Sequence, residues 1–133
     1  FSNPESMSAA IASFCSQNRQ IPPQSHSHYV RCIFSSLARR YGQVLDILRE
    51  MAPFPIEKLH VIGGGSKNAL LNRMTADVIG IPVVAGPSEA TAIGNCMVQA
   101  KAAGIVTDRN EMRRLIARCV PTETFMPGKT NIR

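Results

Sequence analysis

The residues whose types and spacing could do chemistry lie in one short run, Val61-Ile-Gly-Gly-Gly-Ser-Lys-Asn68. Three successive glycines let a ligand approach the backbone closely, because no Cβ stands in the way. Where such a loop opens a helix, unpaired N–H groups and the positive end of the dipole suit a phosphate. The same glycines would equally serve a tight strand-to-helix turn that holds nothing, and the run by itself leaves both readings open. Two phosphate-binding patterns can be tested against it. A P-loop requires Lys followed by Ser or Thr, yet Lys67 is followed by Asn68, so that match fails. A dinucleotide fingerprint requires a third glycine where Asn68 stands. The next apolar run also ends Val84-Ala85-Gly86, with no carboxylate for a ribose.

The remaining reactive side chains form no comparable pattern. Cys15, Cys32, Cys96 and Cys119 include no C-x-x-C pair, which argues against a zinc site and a dense disulfide scaffold. Buried, reduced thiols of a cytoplasmic protein are expected, although the helices carrying Cys15 and Cys32 could bring those two near each other. His26, His28 and His60 have no partner pattern and read as structural or exposed. Asp108 with Glu111 three residues on reads as a capping box, and Glu89 as a first-turn carboxylate favoured by the helix dipole. Asp77 falls on a helix, away from the glycines. No catalytic residue and no metal ligand is expected in this chain.

The chain has 133 residues, 44% hydrophobic and 18% charged, with a net charge of +6. That is ordinary for one soluble domain and excludes collagen-like or wholly disordered classes. No uninterrupted apolar run is long enough for a membrane span. The first residue is Phe1 and no charged-then-apolar leader follows, so the start reads as a cut inside a longer chain. The positive charge invites a nucleic-acid reading. Eleven of the fifteen cations are arginines, and Arg109, Arg113, Arg114 and Arg118 lie close together. Yet Trp is absent and no basic stretch carries interleaved aromatics to stack bases, so this group reads as a solvated helix face and no nucleic acid is expected.

Periodicity supplies the elements that must hold the glycine run. Asn3-Pro4 reads as a helix start, with Met7, Ala10, Ile11, Phe14 and Cys15 at helical spacing to about Asn18. Ser25 or Ser27 caps a longer helix whose apolar positions are Val30, Ile33, Phe34, Leu37, Tyr41, Val44, Leu45 and Leu48, ended by Pro53 and Pro55. Leu59–Ile62 is a short buried strand. The helix after the glycines turns Leu70, Leu71, Met74 and Val78 inward and stops at Gly80. Ile81–Val84 is a second strand. A helix from Glu89 to about Ala103 is apolar nearly all round and predicts burial on several sides. The last helix turns Met112, Leu115, Ile116 and Cys119 inward, and residues 121–133 read as an irregular tail. Strand–helix–strand of this length implies two parallel strands. Two strands alone are not a stable sheet, so they read as the edge of a larger one whose other strands come from elsewhere.

The segments Leu59–Asn72, Ala76-Asp77, Gly80–Pro87 and Glu89-Ala-Thr-Ala-Ile-Gly-Asn95 together resemble the C-terminal domain of the FGGY carbohydrate kinases. Asn3–Met7 and Val30–Ala38 also fit, so the resemblance spans almost the whole chain. Its weight lies in the combination, since no one motif is specific. The resemblance implies an α/β fold, the C-terminal part of an actin-like (ribonuclease H-like) ATPase lobe, helix-rich with two parallel strands. It makes residues 1–120 a partial nucleotide-binding lobe. The cofactors implied are ATP and Mg²⁺, with Gly64, Gly65 and Asn68 as nucleotide contacts and Gly63 and Ser66 beside them. Gly94 would admit a facing helix closely. The sugar, the catalytic base and the first phosphate loop would belong to an N-terminal lobe not in these residues. The chain is then expected to be inactive alone and prone to self-association. The run at 86–95 points to a branch that phosphorylates a ketose at its 1-hydroxyl, rather than to xylulose or glycerol kinases. Another sugar kinase of the family, of xylulose or fuculose type, and a non-enzymatic helical interaction domain are the alternatives.

Overall fold

A computed structural model of the chain describes residues 3–128. The chain divides into two compact units, Phe1–Leu37 and Ala38–Arg133. The boundary falls within a helix.

The first unit holds α1 (Met7–Gln17) and the opening turns of α2 (His26–Met51). The start of α1 differs from expectation. Asn3 takes a left-handed backbone, φ 54°, whereas an N-cap residue needs an extended one. Ser6 is extended instead, and its hydroxyl accepts from Ala9 N at 3.3 Å, so the helix begins three residues after Pro4. At its end Gln20 N donates to Cys15 O and Arg19 N to Ser16 O, at 2.8 and 3.1 Å. This is a Schellman closure with Arg19, at φ 56°, in the left-handed position that glycine usually fills. Ile11 and Cys15 are the buried residues of α1. Between the two alternatives, Ser25 caps α2, accepting from His28 N at 3.3 Å.

The second unit is built on a three-stranded sheet ordered β1 (Leu59–Val61), β2 (Val83–Ala85), β3 (Glu123–Phe125). β1 and β2 are parallel, Leu59 opposite Val83 and Val61 opposite Ala85, as the strand–helix–strand pattern requires. β3 corrects the expectation of an irregular tail and of two strands only. It pairs antiparallel to β2, Val83 opposite Phe125, so the chain supplies its own third strand. A strand of three residues, Glu-Thr-Phe, is too short to show a period. Residues 129–133 of that tail lie outside the described residues.

One face of the sheet carries the core: Leu45, Ala76, Ile79, Val83, Ala85 and Phe125, with Leu59 and Val61 packed against it. β2 is central, and Val83 is fully buried. Between the parallel strands runs α3 (Ala69–Ile79), closed by Gly80 at φ 71°. Its inward residues are Asn72, Thr75, Ala76 and Ile79, one position round from the predicted face, and Leu70 remains 53% exposed. Arg49 of α2 donates to Ile79 O at 3.2 Å, satisfying a carbonyl in the last turn of α3. Asp77 accepts from Gly128 N at 2.6 Å and so anchors the residues beyond β3.

α4 (Ala90–Ala102) and α5 (Arg109–Cys119) depart most from expectation, because neither has a buried residue. Val98 is 63% exposed, and a Cβ placed on Gly94 would meet nothing within 4 Å. The helix facing Gly94 is therefore not among the described residues. The expected burial of the thiols holds for Cys15 alone: all four cysteines are free, Cys32 is half-buried, and Cys96 and Cys119 are exposed. The four arginines of α5, of which Arg109 is its first residue, are exposed, as a solvated face requires.

Candidate functional site

β1 delivers the chain to the glycine run at the carboxyl ends of the two parallel strands, where ligands of open α/β sheets bind. Gly63 has φ 79° and ψ −166°, a conformation essentially closed to residues with a Cβ. This reverses the chain, and Gly64–Lys67 then coils into one 3₁₀ turn. The turn is tied to the one following β2 by two backbone bonds. Gly63 N donates to Pro87 O at 3.0 Å, and Gly86 N donates to Val61 O at 2.8 Å. A Cβ on Gly86 would stand 3.3 Å from Ile62 Cγ2, so the close approach of these loops depends on glycine there too.

Ser66 and Asn68 serve this turn directly. Ser66 is buried, its hydroxyl donates to Gly63 O at 2.8 Å, and its own carbonyl accepts from Asn72 Nδ2 at 2.9 Å. Asn68 is the N-cap of α3, with Oδ1 accepting from Leu71 N at 3.0 Å. One of the helix donors that the sequence offered to a phosphate is therefore already taken. Gly64 and Gly65 are different. Both are exposed, a Cβ on Gly64 would meet nothing within 4 Å, and one on Gly65 would meet only Val61 Cγ1 at 4.0 Å. The five candidates thus form one unit with two roles: Gly63, Ser66 and Asn68 shape the turn, while Gly64 and Gly65 present bare backbone.

Beside Gly65 lies an open groove of about 530 Å³ that the sequence did not reveal. It is lined by Arg40, Tyr41, Val44 and Leu48 of α2, by His60 of β1 with Ile62 after it, and by Asn72 of α3. The apolar stripe of α2 is only partly covered. Of its members in this unit only Leu45 is buried, and Tyr41, Val44 and Leu48 are left to line the groove.

The acidic residues do not converge on the turn. Asp77 is engaged by Gly128, and Glu89 precedes α4 without a side-chain capping bond. Asp108 accepts from Asn110 N and Glu111 N at 2.6 and 2.9 Å, which holds its carboxyl below its ordinary value. Glu111 accepts from Thr107 N and Thr107 Oγ1 and is likewise lowered. The capping box is real, but its return bond reaches Thr107 rather than Asp108. Among the described residues no three His, Cys, Asp or Glu gather to hold a metal ion. Nor is any helix there long and apolar enough to cross a membrane.

A parallel β–α–β unit with a bare glycine turn at its carboxyl edge defines an α/β protein of the kind that binds ligands at that edge. Residues 1–103 match the C-terminal domain of the FGGY family of carbohydrate kinases, and the chain belongs to that family. It is similar to the rhamnulokinase of Bacteroides thetaiotaomicron, 58% identical over 127 residues that cover 96% of this chain and 26% of the relative. The rhamnulokinases of Pectobacterium atrosepticum and Bacillus subtilis are 46% and 42% identical, each over 96% of this chain and 26% of the relative. The chain thus spans about a quarter of the length of these relatives.

Proposed function

We propose that the chain is the nucleotide-side segment of a kinase that transfers the γ-phosphoryl of ATP to the 1-hydroxyl of rhamnulose. What carries this reading is the bare turn at Gly64 and Gly65, in a chain 58% identical to a rhamnulokinase. On this reading the segment is part of an actin-like, ribonuclease H-like lobe, and its turn at 63–68 packs against the nucleotide. ATP, when bound, supplies the phosphoryl group. The chain's own contribution is shape: Gly63 reverses the backbone, Ser66 and Asn72 lock the 3₁₀ turn, Asn68 caps α3, and Gly64 and Gly65 admit a ligand to the main chain.

The residues described do not fit a Mg²⁺ site, since no cluster of acids faces the turn. Metal coordination, the base that deprotonates the sugar hydroxyl and the sugar pocket are therefore assigned to the rest of the protein. The protein works in the cytoplasm on this reading. The chain by itself is expected to phosphorylate no rhamnulose in a coupled ADP-release assay. Calorimetric titration with ADP tests the nucleotide site. Gly64→Val, which meets empty space in the chain, should weaken ADP binding by about ten-fold or more, equivalent to about 1.4 kcal/mol, while leaving the unfolding midpoint in place. Absence of ADP heat in the parent chain, or turnover without the remaining protein, would overturn the proposal.

A further inference from the structure

The chain after α5 returns to the elements that carry the glycine turn, through contacts far apart in sequence. β3 lies along β2, with Phe125 opposite Val83 and Glu123 opposite Ala85. Phe125 is buried in the core cluster with Leu45, Ala76, Ile79 and Val83. The guanidinium of Arg73, from α3, lies over the Phe125 ring at 5.9 Å from its centroid. Beyond β3, Gly128 N donates to Asp77 Oδ1 of α3 at 2.6 Å, between residues 51 positions apart. All of this segment lies past residue 103, where the match to the family domain ends.

The elements it grips, β2 and α3, are those that support the turn. β2 ends at Ala85, and the residues after it make the bonds that tie the loops together, Gly86 N to Val61 O and Gly63 N to Pro87 O. α3 starts from its Asn68 cap and sends Asn72 back to Ser66 O. Asp77 stands further along the same helix, and a helix this short transmits a constraint from one end to the other. Sliding α3 against β2 would break the Asp77–Gly128 bond or withdraw Phe125 from the core. We propose that residues 121–128 are a strap that fixes α3 and β2 at the spacing the glycine turn requires, with Asp77 as its positioning residue. Asp77 is not itself a nucleotide contact. It acts by offering an acceptor to Gly128 N, so the acceptor matters and the charge does not. The consequence for ADP affinity rests on the nucleotide reading of the turn, whereas the effect on the turn itself does not.

The test follows amide hydrogen exchange by NMR in the full chain without ligand. In Asp77→Ala the Gly63 and Gly86 amides, donors of the loop-tying bonds, should speed up at least about five-fold more than the slowest amides, which exchange through global unfolding. Asp77→Asn keeps the acceptor without the charge and should exchange as the parent does. Gly128→Pro removes the donor without altering α3 and should reproduce Asp77→Ala. In calorimetry ADP should bind Asp77→Ala about five-fold more weakly than Asp77→Asn. Equal acceleration of all amides, unchanged exchange at Gly63 and Gly86, or an Asp77→Asn variant that behaves like Asp77→Ala would each overturn the strap. A parent chain that binds no ADP would overturn the nucleotide reading instead, and the exchange rates would still decide the strap.

Discussion

Asn72 decides the form of the glycine turn from outside it. At 2% exposure it reaches back from α3 to donate to Ser66 O, which lies in the buried part of the turn. Asn72→Ala should lower unfolding stability by about 1–3 kcal/mol, the cost of a buried acceptor left without its donor. A urea titration with unchanged slope would measure it, and a shift below about 0.5 kcal/mol would remove Asn72 from the role. The glycines themselves were legible in the sequence, because consecutive glycines between an apolar strand and a helix have few other uses. Asn72 was not. It lies on a helix whose inward face had been assigned from the leucines, and only the packed helix shows that a polar side chain turns inward there.

Helix ends show how local chemistry sets an element, and where it does so imperfectly. Arg19 occupies a left-handed position in the closure of α1 that costs a non-glycine residue about 1–2 kcal/mol. Arg19→Gly should therefore raise stability, by up to about 1 kcal/mol once glycine's greater unfolded freedom is subtracted. Thermal unfolding would show an increase, and a decrease would mean that the arginine side chain makes contacts that outweigh the strain. At α5 the sign of the acid response follows from the capping box. Asp108 and Glu111 both titrate lower folded than unfolded, so their contribution is present above their ordinary values and is lost as pH falls through the depressed ones. Amide protection of Asn110 and Glu111 followed by NMR should fall on acidification, and in Asp108→Ala it should be low and independent of pH. The box was readable from Asp108 and Glu111 alone, because capping depends on neighbours three residues apart.

The chain taken whole leaves a great deal of apolar surface in solvent. Val30, Ile33, Leu37, Tyr41, Val44 and Leu48 of α2, Val98 of α4 and Ile105 are all exposed. Exposure on that extent marks faces built to be covered. Sedimentation of the isolated chain should therefore show concentration-dependent association, reduced by Val44→Glu with Leu48→Glu. A monodisperse monomer at all concentrations would contradict this. Only Arg49–Asp46 pairs oppositely charged side chains among the described residues, so the +6 charge is carried mostly by unpaired exposed cations.

By itself the sequence determined the order of the main elements, the parallel relation of β1 and β2, the glycine turn and the kinase family, because each rests on residues close in the chain or on a contiguous pattern. Only the tertiary structure decided that Glu123–Phe125 completes the sheet, that Asn72 locks the turn, and that α4 lies bare. Those outcomes depend on partners far apart in sequence: β3 exists because β2 offers an edge, and α4 has no buried residue because nothing among the described residues fully covers it.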